Sequence, residues 1–394
     1  MVQSIYLNEM GVVCALGADK VCVRKGLFAD KPGGVQANAS IVSDSELFLG
    51  AVTQPLQDVA VLPPHLRSRN NALLLTALQQ IRHAVDAAID RYGAHRVAVV
   101  VGTSTAGIGE AQVAVAHFQA TQFLPPEFHF SQQEMGSPAM ALSALLGLSG
   151  PVIGISTACS SSAKALASAA RLLNANMADA VIAGGMDALC HFTVAGFSAL
   201  EAVSAERCNP LSRNRSGINI GEGGALFLMT REAGDVRLAG WGESSDAYHI
   251  SAPAPGGTGA LAAMRAALAR ADLKPSDIDY INLHGTATRQ NDSAESLAVY
   301  ELFSDGVAVS STKPLTGHTL GGAGALEAAL CWLALHDNPH GYLPPHWWDG
   351  AIDPELPPLK IAESGYSLGR PPRYLLSNSF AFGGSNASLV LAQA

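Results

Sequence analysis

The hydrophobic pattern of the chain alternates between short apolar runs of strand type and longer stretches with helical spacing. The strand-like runs close on glycine or other small residues, and they are 4–16, 96–107, 151–155, 178–189 and 221–232. Apolar residues at helical spacing predict helices over 68–92 and 160–173, and residues 108–148 carry further helices with an aromatic patch. Residues 18–60 follow neither period and are predicted to be irregular. Strands that alternate with helices indicate an α/β fold.

The pattern restarts near Gly234. Three segments before this point match three segments after it in the same order; the pairs are VVVGTSTAG with INLHGTATR, GISTACSSSAKALASAARLL with VAVSSTKPLTGHTLGGAGALEAALCWL, and GGALFLMTRE with GGSNASLVLAQA. Three ordered matches indicate a duplicated fold. We therefore predict two similar α/β halves, 1–234 and 235–394, packed around a common centre. The first two matched segments lie farther apart in the first half, which predicts an insertion within 107–150.

Composition narrows the functional class. Apolar residues make up 48% of the chain and charged residues 14%, so a large buried core is expected. A net charge of −9 argues against a general nucleic-acid binder. The six cysteines are scattered without a CxxC pair, which is neither a disulfide framework nor a zinc pattern. With no signal-peptide pattern and no apolar run of about 18 to 20 residues, we expect a cytoplasmic protein that does not span a membrane.

Cys159 lies where the strand-like run 151–155 passes into the helix predicted over 160–173. The unpaired N–H groups and the dipole at a helix N-terminus stabilise a thiolate. Small neighbours on both sides leave the sulfur open to a substrate. These features favour a cysteine nucleophile, and the alternative is a buried cysteine that only packs under the turn.

Two histidines occupy equivalent places in the second half. His284 follows a strand-like stretch and begins HGTAT, and His318 lies in the glycine-rich turn that corresponds to the turn of Cys159. Strand ends of a duplicated fold converge near its pseudo-twofold axis, so both imidazoles are expected to face the thiol. Taken singly, His284 could instead cap the strand, and His318 could be a solvent-facing residue of a flexible loop. A metal site formed by the three residues is disfavoured, because no carboxylate or second cysteine shares these turns.

Other candidates surround these three. Lys313 is the only cation of the His318 turn, and Glu327 on the following helix could pair with it. Phe380 and Phe382 alternate with small residues in NSFAFGGSNA. A backbone N–H of this loop, together with that of Cys159, is a candidate oxyanion hole.

Four motifs taken together resemble the elongating β-ketoacyl-acyl-carrier-protein synthases, which are condensing enzymes of the thiolase fold. The motifs are TACSSS, HGTAT, KPLTGH and NSFAFGGSNA, in the order of the family. The resemblance covers essentially the whole chain, and four ordered motifs are far more specific than one. It implies a thiolase-like fold of two similar halves in αβαβα layers.

The resemblance also implies roles for the motif residues. Cys159 would take an acyl group from the phosphopantetheine arm of a carrier protein, and a malonyl thioester would then lose CO2 and attack that acyl group. His284 and His318 would stabilise the enolate, and the N–H groups of Cys159 and Phe382 would hold the tetrahedral oxyanion. The family needs no metal or organic cofactor for this chemistry.

Supporting roles follow from the same resemblance. Lys313, braced by Glu327, would support the histidine loop, and Phe382 would also gate the acyl pocket. Three further residues are expected beside the site; they are Thr286, Thr288 and Phe380.

The expected partner is an acyl carrier protein. Carrier proteins of this family are acidic, so Arg67, Arg69 and Arg207 are candidate docking residues, with ordinary surface arginines as the alternative. Family members dimerise across the strand of the first half, here near 153–158, with the insertion contributing. A homodimer is expected, and a heterodimer with a cysteine-less subunit is the alternative.

The competing hypotheses are a thiolase-type CoA enzyme and a non-catalytic or weakly catalytic chain-length-factor-like subunit, and single residues distinguish these and other related classes. Initiating synthases and chalcone-type enzymes carry asparagine in place of His318. Thiolases, which act on CoA esters, carry a second reactive cysteine that NSFAFGGS lacks. Non-catalytic chain-length factors lack the nucleophile that Cys159 supplies.

The sequence departs from the family in two places. Ala287 makes HGTAT of the usual HGTGT, and its methyl group is expected to narrow the pocket. The loop SRNRSGINIGEGG replaces a D-x-x-RDGF-type sequence. These departures favour a specialised polyketide or polyene pathway over housekeeping fatty-acid synthesis.

Overall fold

The computed structural model of the protein describes residues 4–39, 41 and 46–394. The elements of the first half are β1 (Tyr6–Val13), α1 (Lys20–Leu27), β2 (Gln36–Asn38), β3 (Leu47–Leu49), α2 (Arg69–Tyr92), β4 (Val97–Gly102), α3 (Ile108–Thr121), α4 (Ser137–Leu146), β5 (Val152–Ile155), α5 (Ser161–Asn174), β6 (Ala180–Asp187), α6 (His191–Ala199) and β7 (Gly223–Thr230). The elements of the second half are β8 (Val236–Ser245), α7 (Thr258–Ala271), β9 (Tyr280–Asn282), α8 (Arg289–Leu302), β10 (Ala308–Ser310), α9 (Lys313–Thr316), α10 (Ala323–Leu335), β11 (Lys360–Ile361), β12 (Tyr374–Ala381) and β13 (Ser385–Gln393).

The strand order is symmetric about the junction of β1 and β8. The described strands other than the hairpin β2–β3 follow the order β11-β10-β9-β12-β13-β8-β1-β7-β6-β4-β5. Outward from the junction, each half has two antiparallel pairings and then two parallel pairings, and the short β11 adds a third parallel pairing at the edge of the second half. The strands whose sequences match therefore hold equivalent places in the two halves, as predicted. The exact division at 234 and 235 stays a prediction.

The helices form three layers around the two halves of the sheet. Helices α5 and α10 lie between the halves, in a core that also takes side chains from β1, β7 and β13. Helices α2 and α4 cover the outer face of the first half, and α7 and α8 cover that of the second. This arrangement confirms the predicted αβαβα layers.

Small residues allow the two central helices to approach closely. Every residue of α10 is buried, and α5 buries two serines and five alanines together with its leucines. A Cβ atom added at Gly324 of α10 would lie 2.7 Å from the Cβ of Ala163 on α5. The glycine is therefore needed for contact between the two helices.

Most predicted elements are confirmed, with one clear exception. The helix predicted over 68–92 is α2, and the hydroxyl of Ser68 caps it by accepting the N–H of Asn71 at 3.1 Å. The stretch 18–60 is not irregular throughout, because α1 and the hairpin β2–β3 lie within it. Only Val23 and Leu27 of α1 are buried, which is too few apolar positions to give a helical period. Residues 40 and 42–45 of that stretch lie outside the described residues.

Strand β5 ends the sheet of the first half, and its residues keep part of their surface exposed. In the described ranges, no helix has the length and apolar character required to cross a membrane.

Candidate active site

The turn that carries Cys159 connects β5 to α5, as the sequence predicts. Cys159 is buried, two residues before the first residue of α5. The preceding Ala158 has a φ of 51°, a left-handed conformation that is strained for a residue with a side chain. The Ser161 hydroxyl holds the turn, because it accepts the N–H of Thr157 at 2.8 Å and donates to the Ala158 carbonyl at 2.6 Å.

His318 meets the sulfur directly. Its Nε2 lies 3.0 Å from Sγ of Cys159, and both groups are buried. Burial raises the pKa of the Cys159 thiol to about 12, with the charge of Lys313 acting in the opposite direction. Burial and then Lys313 hold the pKa of His318 well below its usual range. Thiol and imidazole are therefore both neutral at rest, which differs from the thiolate that the helix N-terminus alone predicts.

His284 lies beside His318 and is tied to Lys313. The two imidazole rings meet edge to face with centroids 5.2 Å apart. Nζ of Lys313 lies 3.4 Å from Nδ1 of His284 and also donates to the His284 carbonyl. An Nδ1 that accepts from an ammonium leaves the ring proton on Nε2. Burial, followed by Lys313 and His318, keeps the pKa of His284 well below its usual range.

The expected pairing of Lys313 with Glu327 is present. Nζ of Lys313 lies 2.5 Å from Oε1 of Glu327, and both side chains are almost fully buried. Burial raises the pKa of Glu327, and Lys313 opposes this shift. The pair places a fixed positive charge next to the imidazole of His284.

The same three residues also satisfy the distances of a metal site. One ligand atom from each of Cys159, His284 and His318 lies within 4.8 Å of the others. The ammonium of Lys313 stands next to His284 and would repel a cation placed there. The site therefore suits a neutral thiol beside two neutral imidazoles better than it suits a bound metal ion.

A cavity of about 260 Å³ opens onto these groups. Cys159, His284 and His318 all line it. Phe380 and Phe382 line it as predicted; Phe380 packs edge-on against His284, and Phe382 packs against Phe197 of α6 with ring centroids 5.8 Å apart. The cavity combines an apolar wall with polar groups, as a site for an acyl thioester requires.

The two predicted threonines also face the cavity. Thr286 and Thr288 line it, and their hydroxyl oxygens lie 2.9 Å apart. Ala287 between them does not line it, because this residue is fully buried with a φ of 63°. The expectation that its methyl group narrows the pocket is wrong, since the left-handed backbone turns the side chain into the protein.

The three candidate docking arginines bond within the fold. Arg69 forms a paired contact with the carboxylate of Glu222, at 2.6 and 2.8 Å. Arg67 donates to the carbonyl of Leu62, and Arg207 donates to the carbonyl of Pro314 at 2.6 Å. The side chain of Arg69 remains 46% exposed. Arg207 supports the loop that carries Lys313 and His318.

Two buried carboxylates that the sequence analysis did not single out organise the site. Glu295 of α8 accepts the N–H groups of His284 and Gly285 at 2.8 Å each. Asp187, at the end of β6, accepts the N–H of Ser104 at 2.9 Å and that of Gly321 at 2.6 Å. The second carboxylate therefore ties the turn after β4 to the loop of His318. Asp187 is a charged residue at the end of a continuous apolar strand, and this position is the signal by which it could have been found in the sequence.

Comparisons with known proteins identify the family of the chain. The beta-ketoacyl synthase N-terminal domain matches residues 46–233, and the beta-ketoacyl synthase C-terminal domain matches residues 236–347. Nodulation protein E of Rhizobium meliloti (strain 1021) is 32% identical over the full length of both chains. The 3-oxoacyl-[acyl-carrier-protein] synthase 2 of Staphylococcus aureus is 34% identical over 80% of this chain and 82% of its own.

A solved structure extends the comparison to the fold. A chain from the complex of the ketosynthase ApeO with its chain length factor ApeC, from Xenorhabdus doucetiae, superimposes with a TM-score of 0.93. It is 41% identical, over 100% of this chain and 98% of the other. This similarity confirms the predicted thiolase-like fold. The chain belongs to the β-ketoacyl synthase family, the condensing enzymes of fatty-acid and polyketide synthesis.

Proposed function

We propose that the protein condenses an acyl group held on Cys159 with a malonyl group carried by an acyl carrier protein. The observation that carries this proposal is the contact of 3.0 Å between Sγ of Cys159 and Nε2 of His318, two residues that line a mostly apolar cavity. The product is a β-ketoacyl thioester on the carrier protein.

In the first half-reaction the Cys159 sulfur attacks the acyl thioester. The thiol proton passes to Nε2 of His318, because a neutral imidazole in contact with the sulfur is the nearest base. The sulfur–carbon bond to phosphopantetheine then breaks, and the departing thiolate takes up the proton. The N–H groups of Cys159 and Phe382 hold the oxyanion of the tetrahedral intermediate.

In the second half-reaction the malonyl thioester loses CO2, and the electron pair moves onto its carbonyl as an enolate. His284 donates from Nε2 to this carbonyl, since Lys313 engages Nδ1. No described group bonds Nδ1 of His318, so this imidazole can hold its proton on either nitrogen. It can therefore accept a proton in the first half-reaction and donate to the enolate in the second. The carbanion attacks the acyl carbon, and the Cys159 thiolate leaves and takes up one proton from solvent through Nε2 of His318.

The carrier protein docks next to the cavity. Arg67 and Arg69 are the proposed contacts, and the exposed part of the Arg69 side chain supports this choice. Arg207 is better explained by its internal bonds to Pro314 and Val35.

Six free cysteines among the described residues fit a reducing compartment, and we place the reaction in the cytoplasm.

A second subunit covers the edge strand β5. Strand β5 leaves one edge unpaired, and the neighbouring insertion exposes Phe123 and Phe130 to 75% and 68%. The partner is either a second copy of the chain or a chain-length-factor subunit. The 41% identity to a chain from a ketosynthase and chain length factor complex supports the second choice and a specialised pathway.

Two other functions have less support. A chain-length factor without activity would not need Cys159 in contact with His318, nor the buried pair of Lys313 and Glu327. A thiolase would need a second reactive cysteine beside Phe382, and that loop has none.

The test is intact mass spectrometry after the protein is mixed with a panel of acyl carrier proteins bearing different acyl groups. We expect a mass gain equal to one acyl group in the native protein and none in Cys159→Ala. The preferred acyl chain would point to the pathway. No gain with any donor would contradict the proposal and would favour the chain-length-factor reading.

A further inference from the structure

A lysine on the nucleophile helix contacts the loop that follows Phe382. Lys164 lies on α5, five residues after Cys159. Its Nζ lies 2.6 Å from Oγ of Ser385, the first residue of β13. The two residues come from opposite halves of the fold, so this bond joins the halves beside the reacting groups.

Ser160 adds a second link at the same point. Its Oγ lies 3.1 Å from Oγ of Ser385 and 2.8 Å from the carbonyl of Thr157. Ser160 directly follows Cys159, and Ser385 directly follows the turn Phe382–Gly384. The chain Lys164–Ser385–Ser160 therefore connects the two backbone segments that supply the proposed oxyanion hole.

The position of Lys164 is unfavourable for a residue with only a structural role. A positive charge in the first turns of a helix opposes the helix dipole. The ammonium is half-buried, and no described carboxylate forms an ion pair with it. Burial lowers the pKa of Lys164, with Arg171 contributing. A hydrogen bond to a hydroxyl offsets only part of the free energy that it costs to remove an ammonium group from water.

The loop that Lys164 holds needs such a restraint. Gly383 and Gly384 both have left-handed φ values, of 79° and 71°, and the Phe382 side chain is 38% exposed. Two glycines give the turn more backbone freedom than other residues would. A donor in an oxyanion hole contributes only when it is fixed in place before the charge develops.

We propose that Lys164 is a positioning residue, which acts through Ser385 to hold the Phe382 N–H next to the Cys159 N–H. This inference rests on the proposed function. Acyl transfer to Cys159 uses both N–H groups, whereas the loss of CO2 from the malonyl group relies on His284 and His318. Loss of the Lys164–Ser385 bond should therefore slow acyl transfer more than decarboxylation.

The test compares two rates in Lys164→Met, a change that keeps most of the length of the side chain and removes the ammonium group. Acylation of Cys159 by an acyl carrier protein is followed by rapid quench and intact mass, and decarboxylation of malonyl carrier protein is followed as CO2 release without an acyl donor. We expect acylation to slow by about tenfold and decarboxylation to stay within about twofold. The control is Arg265→Met, which removes an exposed cation of α7 that pairs with the equally exposed Glu301.

A second variant keeps the inference testable if Lys164→Met does not fold. Ser385→Ala removes only the hydroxyl and should slow acylation to a similar degree, and the double variant should be no slower than either single one. Additive effects, equal losses in both rates, or unchanged acylation in Lys164→Met would overturn the inference. Failure of the native protein to become acylated would instead contradict the proposed function.

Discussion

Nε2 of His318 and Sγ of Cys159 face each other across the boundary between the two halves of the fold, 3.0 Å apart. Cys159 precedes α5, the central helix of the first half, and His318 precedes α10, the central helix of the second half. Because both groups are neutral at rest, proton transfer between them has to accompany attack on the substrate.

The first prediction concerns His318→Ala. Removal of the base in contact with the thiol should slow acylation of Cys159 by about a hundredfold to ten-thousandfold. Rapid quench with intact mass spectrometry measures this rate. His284→Ala is the matched variant, and it should lose most decarboxylation while its acylation changes much less. Acylation of His318→Ala at the native rate would rule out this histidine as the base.

The second prediction concerns pH. The pKa of His318 lies well below its usual range, so its imidazole is available as a base throughout pH 6–9, and alkylation of native Cys159 by iodoacetamide should vary little. In His318→Ala the rate should follow the thiolate fraction of a thiol whose pKa burial raises to about 12, and should rise about tenfold per pH unit. Peptide mapping of the labelled protein measures both rates. Identical profiles would show that His318 does not handle the proton.

The third prediction concerns the buried pair of Lys313 and Glu327. Lys313→Met leaves a carboxylate buried without its partner, and the free energy of unfolding should fall by about 3–5 kcal/mol. The double variant Lys313→Met, Glu327→Leu should recover much of this loss without recovering activity, since His284 still lacks its ammonium partner.

Urea unfolding measures these stabilities. The exposed pair of Arg265 and Glu301 is the control, and its removal should change the free energy of unfolding by less than about 1 kcal/mol. A loss of that small size in Lys313→Met would contradict the structural role of the buried pair.

The fourth prediction concerns Glu295, whose pKa burial raises to about 7. Between the unfolded value near 4.5 and this folded value, the native state binds more protons than the unfolded state, so this group lowers stability as pH rises. Glu295→Gln removes the titration. The free energy of unfolding of this variant should fall less between pH 5 and pH 7 than that of the native protein.

Urea unfolding at the two pH values provides the comparison. Glu301→Gln, an exposed change on the same helix, should leave the native pH dependence in place. An equal pH dependence in Glu295→Gln and the native protein would mean that Glu295 is ionised in both states across this range.

The fifth prediction concerns Ala287. Ala287→Gly should leave the preference for acyl chain length unchanged, because the methyl group is buried away from the cavity. Glycine relieves the strain of the left-handed backbone, which stabilises the folded state, but it also gives the unfolded chain more freedom, which destabilises the folded state. The free energy of unfolding should therefore change by no more than about 1 kcal/mol. Competition between acyl donors, read by mass spectrometry, measures the preference. A shift toward longer chains in the variant would contradict this placement.

The sequence was enough for the parts of the fold that have a regular period. The continuous apolar runs became β4, β5, β6 and β7, and the ordered repeats became the symmetric strand order. Helix α1 was missed because only two of its residues are buried. A short helix held mostly by its cap and its neighbours leaves almost no hydrophobic pattern.

The grouping of the three candidate catalytic residues was also predictable, and the residues that support them were not. Cys159, His284 and His318 stand beside small residues at strand ends, which is a local signal. Glu295 and Asp187 act by accepting backbone N–H groups of segments distant in the chain. No spacing rule connects a carboxylate to an N–H group that only the folded chain brings near it. The burial that raises the pKa of the Cys159 thiol likewise depends on the whole fold.

Helices α5 and α10 also act as a spacer between the two catalytic halves. The thiol stands at the start of one and the imidazole of His318 just before the other, so the width of the spacer sets their separation. Gly324 and Ala163 keep that width near its minimum. A larger side chain at position 324 would push the halves apart and would disable the enzyme without touching a reacting group. The catalytic distance is in this sense maintained by the smallest residues of the protein.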